Sequence, residues 1–277
     1  MPEVSIILVA YNGMHYLPAC LEAVLGECQA YAGCEVVVVD NASSDGGADW
    51  VMEHYPQVRL LRNRRNLGFA AASNQGAAAA KGDVLVFLNQ DTRVLVGWLT
   101  ALVQGLYAAD EVGLVTSKLL YMAQPEHIQL CGQEVHYTGL IAARGALQVA
   151  EVPRQSEVVG AVSGASFAIR RQVWDALGGF DEGFFLYYEE TDLSWRASLL
   201  GYSSWVVPGS VVLHAAEQGN AAGARFYMLR NRCLLVLKHW KWATLVLLLP
   251  GLLLIDLAEW AYVLRLGLRP VLTKLRA

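Results

Sequence analysis

The sequence has few of the features of proteins that are stabilised by a bound metal, stabilised by disulfide bonds, or secreted. Its five cysteines form no CxxC pair and no cysteine–histidine spacing typical of structural zinc. We therefore expect neither a disulfide framework nor a zinc site, and a reducing compartment fits this cysteine usage best. The N-terminus has no basic segment, and its apolar run from Val4 to Ala10 is too short for a signal peptide. That run is better interpreted as a first strand.

Internal repeats and low-complexity segments are also absent, and 277 residues hold one large α/β domain or two small ones. The net charge of −4 is spread unevenly, because residues 225–277 carry nine Lys/Arg and only two acids. Residues 1–224 are correspondingly acidic. An acidic body is a poor nucleic-acid binder, whereas a basic and apolar tail favours a membrane surface.

Short apolar runs alternate with helical stretches through the first hundred residues. This alternation predicts an α/β fold with a mostly parallel central sheet flanked by helices. The predicted strands are Val4–Ala10, Glu35–Asp40, Val58–Arg62 and Val84–Leu88, and the predicted helices are Tyr16–Leu25, Ala48–His54 and Phe69–Ala80. The part from about 110 to 224 is mixed, with a turn and strand at Gly160–Arg170 and helices at Gln172–Leu177 and Thr191–Leu200.

Polar side chains follow the predicted strands, at Asn12, Asp40 and Asp91. The carboxyl ends of parallel strands form one edge of a sheet, where ligands bind in open α/β folds. A carboxylate such as Asp91 can hold a divalent cation against a diphosphate there, or it can simply cap the next helix. Asp40 has the same two interpretations, a loop cap or a nucleotide contact. His214 follows the apolar run Val211–Leu213 and is either structural or a second metal ligand.

Three carboxylates, Glu189, Glu190 and Asp192, follow a run of aromatic residues. Close and partly buried acids raise one another's pKa, which is one way to obtain a base near neutral pH. The alternative is that they occupy a helix N-terminus, where acids are favoured. Asp192 and Arg196 have i,i+4 spacing and are expected to pair, which leaves Glu189 and Glu190, placed just before the helix, for catalysis. Asn74, in an alanine-rich helix, faces either the ligand edge or solvent.

The last segment runs from Trp242 to Ile255 without a charge, is interrupted by Pro250-Gly251, and is followed by Asp256 and Glu259. A membrane-spanning helix needs about 20 apolar residues, and a longer span would place both acids in hydrocarbon. We expect a helix lying in the membrane interface or a shallow re-entrant hairpin. A buried core helix and a dimer contact are the alternatives.

Taken together, these motifs resemble glycosyltransferase family 2, specifically its bacterial rhamnosyltransferase-like and galactofuranosyltransferase-like branch with a GT-A fold. Any single motif is weak evidence, whereas six in the family's order are strong. The matching segments are Ser5–Gly13, Val37–Gly46, Asn63–Gly76, Phe87–Thr92, Ser163–Arg171, Gly178–Arg196 and His214.

The resemblance implies an inverting transferase that moves a sugar from a nucleotide-diphosphate donor, with dTDP-rhamnose expected first and a UDP-sugar second. The acceptor would be a saccharide or a polyprenyl- or lipid-linked saccharide in cell-surface polysaccharide synthesis. It also implies Mg²⁺ or Mn²⁺ held by Asp91 and His214, and Glu190 as catalytic base supported by Glu189 and Asp192. The implied nucleotide-sugar contacts are Ala10, Tyr11, Asn12, Asp40, Asn66, Phe69, Asn89 and Gly164.

Two positions depart from the family's pattern. Asn89 stands where the DxD metal motif has its first aspartate, so the site has one negative charge fewer. Glu190 stands where aspartate is usual, and its side chain is longer by one methylene, about 1.5 Å. Because Asn89 lacks that charge, we expect Asp91 and His214 to carry more of the metal binding.

The expected organisation is a catalytic domain at residues 1–224 and a basic, apolar helical tail at 225–277. Within the domain, 1–100 would bind the nucleotide sugar and 101–224 the acceptor. The tail would place the protein on the cytoplasmic face of the membrane. A nucleotidylyltransferase is disfavoured because no Gly-rich basic loop follows the first strand. A non-catalytic, membrane-attached nucleotide-sugar-binding subunit is the alternative function, and the oligomeric state is not predicted.

Overall fold

The first strand, β1 (Val4–Ala10), shows why the central sheet is covered on both faces. In the computed structural model, which describes residues 1–215 and 221–265, Ile6 and Leu8 pack into the core on one face and Ile7 packs on the other. A strand buried on both faces must be apolar at nearly every position, which is the pattern in the sequence.

The strands form a mixed, ten-stranded sheet whose N-terminal half is parallel. Strand β1 pairs in parallel with its two neighbours, β2 (Cys34–Asp40) and β4 (Val84–Asn89), and β2 pairs in parallel with β3 (Arg59–Arg62). The sheet continues beyond β4 through an antiparallel strand, β11 (Ser166–Arg170), to β6 (Val112–Tyr121), β12 (Ser203–His214) and β10 (Glu157–Val159). The remaining strands are β5 (Thr92–Val94), beside β12, β7 (Gln124–Leu130), beside β6, and the separate pair β8 (Gln133–Val135) and β9 (Ile141–Ala143).

Helices cover both faces of this sheet. One face carries α1 (Leu17–Ala30), α2 (Gly47–His54) and α4 (Trp98–Leu106), and the other carries α3 (Phe69–Ala79), α5 (Arg171–Leu177) and α6 (Glu189–Leu199). Two further helices, α7 (Ala221–His239) and α8 (Trp242–Arg265), follow β12. The four strands and three helices predicted for the first hundred residues are confirmed, with ends that differ by up to five residues. Helix α6 begins two residues earlier than predicted, so Glu189 and Glu190 lie in its first turn rather than before it.

The prediction from cysteine spacing is wrong at one pair, because Cys28 and Cys34 form a disulfide. The last turns of α1 and the first residue of β2 are joined by a short turn, which brings the two Cα atoms to 5.2 Å. That distance is ordinary for a disulfide. The two cysteines are six residues apart across a helix–strand turn, a separation that matches neither a CxxC motif nor a zinc-ligand spacing.

The C-terminal segment also differs from the expectation, because Pro250 lies inside α8 and does not end it. Among residues 1–215 and 221–265, α8 is the one helix long and apolar enough to cross a membrane, by length and composition alone. Its window Trp242–Ala261 has a mean hydropathy of 1.8 and is not buried in the structure, which argues against a core helix. The last twelve residues of the predicted tail, 266–277, lie outside the described residues.

The two acids of α8 face a cation rather than an apolar environment. The Nε atom of Arg232, on α7, lies 3.3 Å from Oε1 of Glu259, and its Nη2 lies 3.9 Å from Oδ1 of Asp256. Arg232 is only 5% exposed, so α7 and α8 are joined through a buried guanidinium. Leucines on the other sides of α8, such as Leu247 and Leu254, stay exposed.

Candidate active site

Two adjoining cavities lie at the carboxyl ends of β1 and β4. The larger, which we call the strand-end cleft, has a volume of about 370 Å³ and is lined by Tyr11, Asn12, Asn41, Asn66, Gln90 and Asp91, among others. The smaller, the glutamate pocket, has a volume of about 180 Å³ and is lined by Ser163, Gly164, Glu189, Glu190 and His214, among others. Phe69, Asn89, Leu186 and Tyr187 line both cavities, so the two cavities adjoin at these side chains.

The floor of the strand-end cleft is held by a reciprocal pair of hydrogen bonds. The backbone N–H of Tyr11 donates to Oε1 of Gln90 at 3.0 Å, and Nε2 of Gln90 donates to the Tyr11 carbonyl at 2.9 Å. A Cβ atom at Gly13 would lie 2.2 Å from Cδ of Gln90, so only glycine leaves room for this arrangement. The ends of β1 and β4 are thereby fixed to each other.

Asn41 shapes the opposite wall and was not singled out as a site residue. Its Oδ1 accepts from the backbone N–H of Leu67 at 3.0 Å, and its Nδ2 donates to Oδ1 of Asn66 at 2.9 Å. Asn41 thus holds the loop before α3 at the cleft. The available signal was its place directly after a buried strand, next to Asp40.

The structure brings most of the predicted nucleotide-sugar residues together. Gly164 lines the glutamate pocket, and the residues that line the strand-end cleft are Tyr11, Asn12, Asn66, Phe69 and Asn89. Ala10 and Asp40 are buried behind this surface. Oδ1 of Asp40 accepts from the backbone N–H of Ser43 at 3.2 Å, which is the loop-capping interpretation. A nucleotide contact by Ala10 or Asp40 stays a prediction.

Neither interpretation of Asn74 is correct. Its Oδ1 accepts from the backbone N–H of Phe180 and its Nδ2 donates to the Phe180 carbonyl, both at 3.0 Å. The side chain therefore fixes the segment before α6 to α3. This contact spans 106 residues and has no local signature.

Asp91 and His214 meet where the cleft and the pocket adjoin. Strand β5 pairs with the end of β12 and sets Thr92 opposite His214, which leaves Oδ2 of Asp91 3.3 Å from Nε2 of His214. Nδ1 of His214 lies 2.7 Å from Oε1 of Gln129. Since an amide oxygen only accepts, Nδ1 of His214 donates to Gln129, and Nε2 is the ring nitrogen that faces Asp91.

This arrangement fits a divalent cation that completes its shell with other ligands. No group of three or more His, Cys, Asp or Glu at metal-binding distance occurs within the described ranges. A carboxylate and an imidazole whose second nitrogen is fixed by an amide are ordinary first ligands. Mg²⁺-type sites commonly take one or two protein ligands and fill the rest with phosphate oxygens and water.

Glu189 and Glu190 form a buried acidic pair beside this point. They are 3% and 7% exposed, and the Oε2 atom of each is buried without a hydrogen-bond partner. Burial raises the pKa of both carboxyls, and the charge of Glu190 raises that of Glu189 further. Gly164 lies against this carboxyl, since a Cβ atom at Gly164 would lie 3.6 Å from Cδ of Glu190. A pair with raised pKa values in a cavity is suited to proton transfer.

Asp192 points away from the glutamate pocket. The predicted pairing with Arg196 is confirmed, with Nε to Oδ2 at 2.8 Å. Oδ1 of the same carboxylate also lies 2.7 Å from Nε2 of His239 and 2.9 Å from Nζ of Lys238. Burial alone would raise the pKa of Asp192, but the hydrogen bond from His239 and the charges of Arg196 and Lys238 hold it below its usual value. Asp192 therefore joins α6 to α7.

Helix α7 also holds the loop between Phe184 and Tyr188. This contact was not predicted from the sequence. Nδ2 of the fully buried Asn231 lies 2.9, 2.9 and 2.6 Å from the carbonyl oxygens of Phe184, Leu186 and Tyr187. Phe185, Tyr187 and Tyr188 in this loop have φ values of 65°, 68° and 74°, a region that costs free energy for residues other than glycine. Since Leu186 and Tyr187 line both cavities, α7 supports the walls of the site.

Comparison with known proteins identifies the family of the chain. The profile described as "Glycosyl transferase family 2" matches residues 5–175, which is more than half of the chain. The chain belongs to glycosyl transferase family 2. The matched range contains Asp91, Gly164 and the part of the strand-end cleft that precedes residue 175, and it ends before Leu186, Tyr187, the glutamate pair and His214.

Two bacterial proteins are among the relatives of this family 2 chain. The N-acetylglucosaminyl-diphospho-decaprenol L-rhamnosyltransferase of Mycobacterium tuberculosis (strain ATCC 25618 / H37Rv) is 28% identical over 65% of this chain and 66% of its own length. The O-antigen biosynthesis protein RfbC of Myxococcus xanthus is 30% identical over 80% of this chain and 18% of its own length. The chain thus spans less than two thirds of the length of these relatives.

Solved structures of other glycosyltransferases share the fold. GalNAc-T7 with UDP, GalNAc and Mn²⁺ has a TM-score of 0.68 and 20% identity over 85% of this chain and 48% of its own. A mannosyltransferase from Pyrobaculum calidifontis with GDP-Man and Mn²⁺ has a TM-score of 0.65 and 20% identity over 87% of this chain and 65% of its own. The GT-A fold expected from the sequence is confirmed.

Proposed function

We propose that this family 2 chain is an inverting glycosyltransferase that uses a nucleotide-diphosphate sugar. The observation that carries the proposal is that the two cavities adjoin and share four lining residues. The strand-end cleft, the Asp91–His214 pair and the buried glutamates follow one another in the order that a nucleotide, a diphosphate and a reacting sugar would need.

The donor occupies the strand-end cleft in this proposal. Tyr11, Asn12 and Asn66 offer the polar contacts for the nucleoside, and the diphosphate lies toward Asp91 and His214. Those two residues would hold Mg²⁺ or Mn²⁺, which when bound neutralises charge on the departing diphosphate. The Mn²⁺ in the names of the two structural neighbours supports this choice.

Glu190 is the base. Its carboxylate takes the proton of an acceptor hydroxyl, and the hydroxyl oxygen bonds to the anomeric carbon from the face opposite the diphosphate. The bond from that carbon to the phosphate oxygen breaks, and the nucleoside diphosphate leaves. A single displacement of this kind inverts the anomeric centre. Glu189 lies beside Glu190 and supports it in this proposal, with a carboxyl pKa that burial and the charge of Glu190 raise well above its usual value.

The expected donor is dTDP-rhamnose, with a UDP-sugar second, and the acceptor is a saccharide or lipid-linked saccharide. The name of the mycobacterial relative supports both the rhamnosyl donor and a polyprenyl-linked acceptor. The exposed apolar sides of α8 support contact with a membrane, which we place at the cytoplasmic face. The predicted boundary between residues 224 and 225 falls inside α7, whose Asn231 holds a wall of the site, so we place the membrane-associating segment at α8 (Trp242–Arg265).

A panel of nucleotide sugars with Mn²⁺ or Mg²⁺, scored by thermal stabilisation, tests donor binding. We expect one donor to raise the melting temperature only with the metal, and Asp91→Asn to remove that metal dependence. Gln129→Leu should weaken the metal response about 10- to 100-fold, since it frees the orientation of His214. Stabilisation by no donor, or an unchanged response in Asp91→Asn, would refute this part of the proposal.

The alternative is a nucleotide-sugar-binding subunit without turnover. Asn89 in place of an aspartate, which leaves the metal pair with a single carboxylate, is the observation that favours it. Donor binding without release of nucleoside diphosphate in the unmutated protein would support this alternative.

A further inference from the structure

Gln133 connects a separate hairpin to the buried glutamates. It is the first residue of β8 and is 7% exposed. Its backbone N–H donates to the Ala161 carbonyl at 2.8 Å, and its own carbonyl accepts from the Ala161 N–H at 3.0 Å. The residue is therefore fixed at both backbone groups, and its side chain projects from a rigid base.

The side chain of Gln133 has one defined orientation. The hydroxyl of Thr191 donates to its Oε1 at 2.9 Å, and its Nε2 donates to Oε1 of Glu190 at 2.8 Å. Thr191 is fully buried, so no water competes for either contact. An amide N–H facing a carboxyl oxygen is strongest when the carboxyl is charged.

The two glutamates are unequal because of this contact. Glu190 receives the amide N–H, whereas Glu189 receives none from a side chain. Burial and the charge of Glu190 raise the pKa of Glu189 well above its usual value. Burial also raises the pKa of Glu190, but the Gln133 hydrogen bond opposes that rise. The hydrogen bond from Gln133 therefore favours Glu190, rather than Glu189, as the member of the pair that ionises first.

The contact also selects which oxygen of Glu190 is available. Oε1 is occupied by Gln133, while Oε2 has no partner and lies on the side of Gly164, 3.8 Å from where a Cβ atom of that glycine would be. Gly164 and Glu190 both line the glutamate pocket. The side chain of Glu190 is longer than that of an aspartate by one methylene. Because Gln133 holds its Oε1, its Oε2 occupies a defined position.

We propose that Gln133 is a positioning residue that keeps Glu190 charged and directs its Oε2 into the glutamate pocket. The inference deepens the proposed function, because it identifies what lets a glutamate act where relatives of this type are expected to have aspartate. Gln133 itself does not contact the reacting atoms.

Other ionisable groups near Glu190 also influence its ionisation. Glu189 lies on the same helix, Tyr187 and Tyr188 precede it, and His214 lines the same pocket from β12. Arg232 of α7 acts on Tyr188, where its charge lowers the pKa that burial raises. The charge of Asp192 is already compensated by its own partners on α6 and α7.

Infrared spectroscopy of the full chain tests the proposal without any substrate. A Glu189→Gln background leaves one glutamate in the pocket, and the difference made by Glu190→Gln identifies its carboxyl band. Adding Gln133→Leu should raise the pH at which this band titrates by about one to two units, the effect of losing a hydrogen bond to a charged group. Gln104→Leu, at an exposed position of α4, is the matched control and should leave the titration unchanged.

Thr191→Val is a second variant in case Gln133→Leu does not fold. It removes the hydroxyl that orients the amide and should shift the titration in the same direction by less. With an active donor, the acid limb of the kcat profile of Gln133→Leu should move upward with the infrared titration, and KM for the donor should stay near its original value. An unmoved infrared titration in a folded Gln133→Leu or Thr191→Val variant would overturn the proposal. A shifted titration supports it even if the chain has no turnover, and absent turnover would refute only the proposed function.

Discussion

The contact between Gly13 and Gln90 allows a quantitative test of how the strand-end cleft is built. Replacing Gly13 by alanine adds a Cβ atom 2.2 Å from Cδ and 2.3 Å from Nε2 of Gln90. The amide must move, and it cannot move without breaking both bonds to the Tyr11 backbone. Neutral hydrogen bonds contribute about 0.5–1.5 kcal/mol each, so the free energy of unfolding should fall by about 1–3 kcal/mol.

The variant Gln90→Ala separates the clash between the added Cβ atom and the Gln90 amide from other effects of the Gly13→Ala change. Gln90→Ala loses the same two bonds and should cost about 1–3 kcal/mol by itself. In the double variant the added Cβ atom meets no amide, so Gly13→Ala should cost nearly nothing more. The coupling free energy should therefore approach the whole cost of the Gly13→Ala change, about 1–3 kcal/mol.

Urea unfolding of the four proteins measures this cycle, and donor-dependent stabilisation of the same set reports on the cleft. We expect both single variants to weaken donor binding, because each releases Tyr11. Costs that simply add in the double variant would show that the two residues act independently. That result would refute the account of the cleft floor.

Three further predictions concern the helices behind the site. Asn231→Ala should lower the free energy of unfolding by about 2–4 kcal/mol, because it leaves buried carbonyl groups of the loop before α6 without a donor, and calorimetry that finds no change would contradict this. The pKa of Asp192 is lower in the folded protein than its unfolded value of about 3.9, so its ionised form stabilises the fold above that pH. Asp192→Asn should therefore lower the free energy of unfolding at pH 7, and by progressively less as the pH falls below about 4, in urea unfolding at several pH values. A loss of free energy that does not depend on pH would contradict this prediction. Truncation after Lys241 removes α8 but keeps the contacts of His239 and Trp240, and it should move the protein from the membrane fraction to the soluble fraction; continued sedimentation with membranes would exclude α8 as the attachment.

The first strands and the ligand edge could be predicted because their determinants are local. Continuous apolar runs identified β1 and β4, and the polar residues after them identified the ligand edge where Tyr11, Asn12 and Asp91 now lie. The pairing of Asp91 with His214 was implied by the family resemblance, and the position of each after an apolar run agrees with it. The spacing of Asp192 and Arg196 was enough for their pairing.

The supporting contacts could not be predicted because they join distant parts of the chain. Gln133 reaches Glu190 across 57 residues, and Asn231 reaches Tyr187 across 44. Neither position belongs to a periodic pattern, and each depends on how a hairpin or a helix packs after the sheet has formed. The Cys28–Cys34 disulfide depends likewise on the tight turn between α1 and β2.

The central claim is that Glu190 removes the acceptor proton during sugar transfer. Its most direct test compares the unmutated protein with Glu190→Gln, both saturated with the donor identified by thermal stabilisation, and measures transfer of labelled sugar to extracted membrane lipids. We predict that the variant binds the donor as tightly as the unmutated protein and transfers sugar about 10²- to 10⁴-fold more slowly. Transfer by Glu190→Gln at the unmutated rate would contradict the claim.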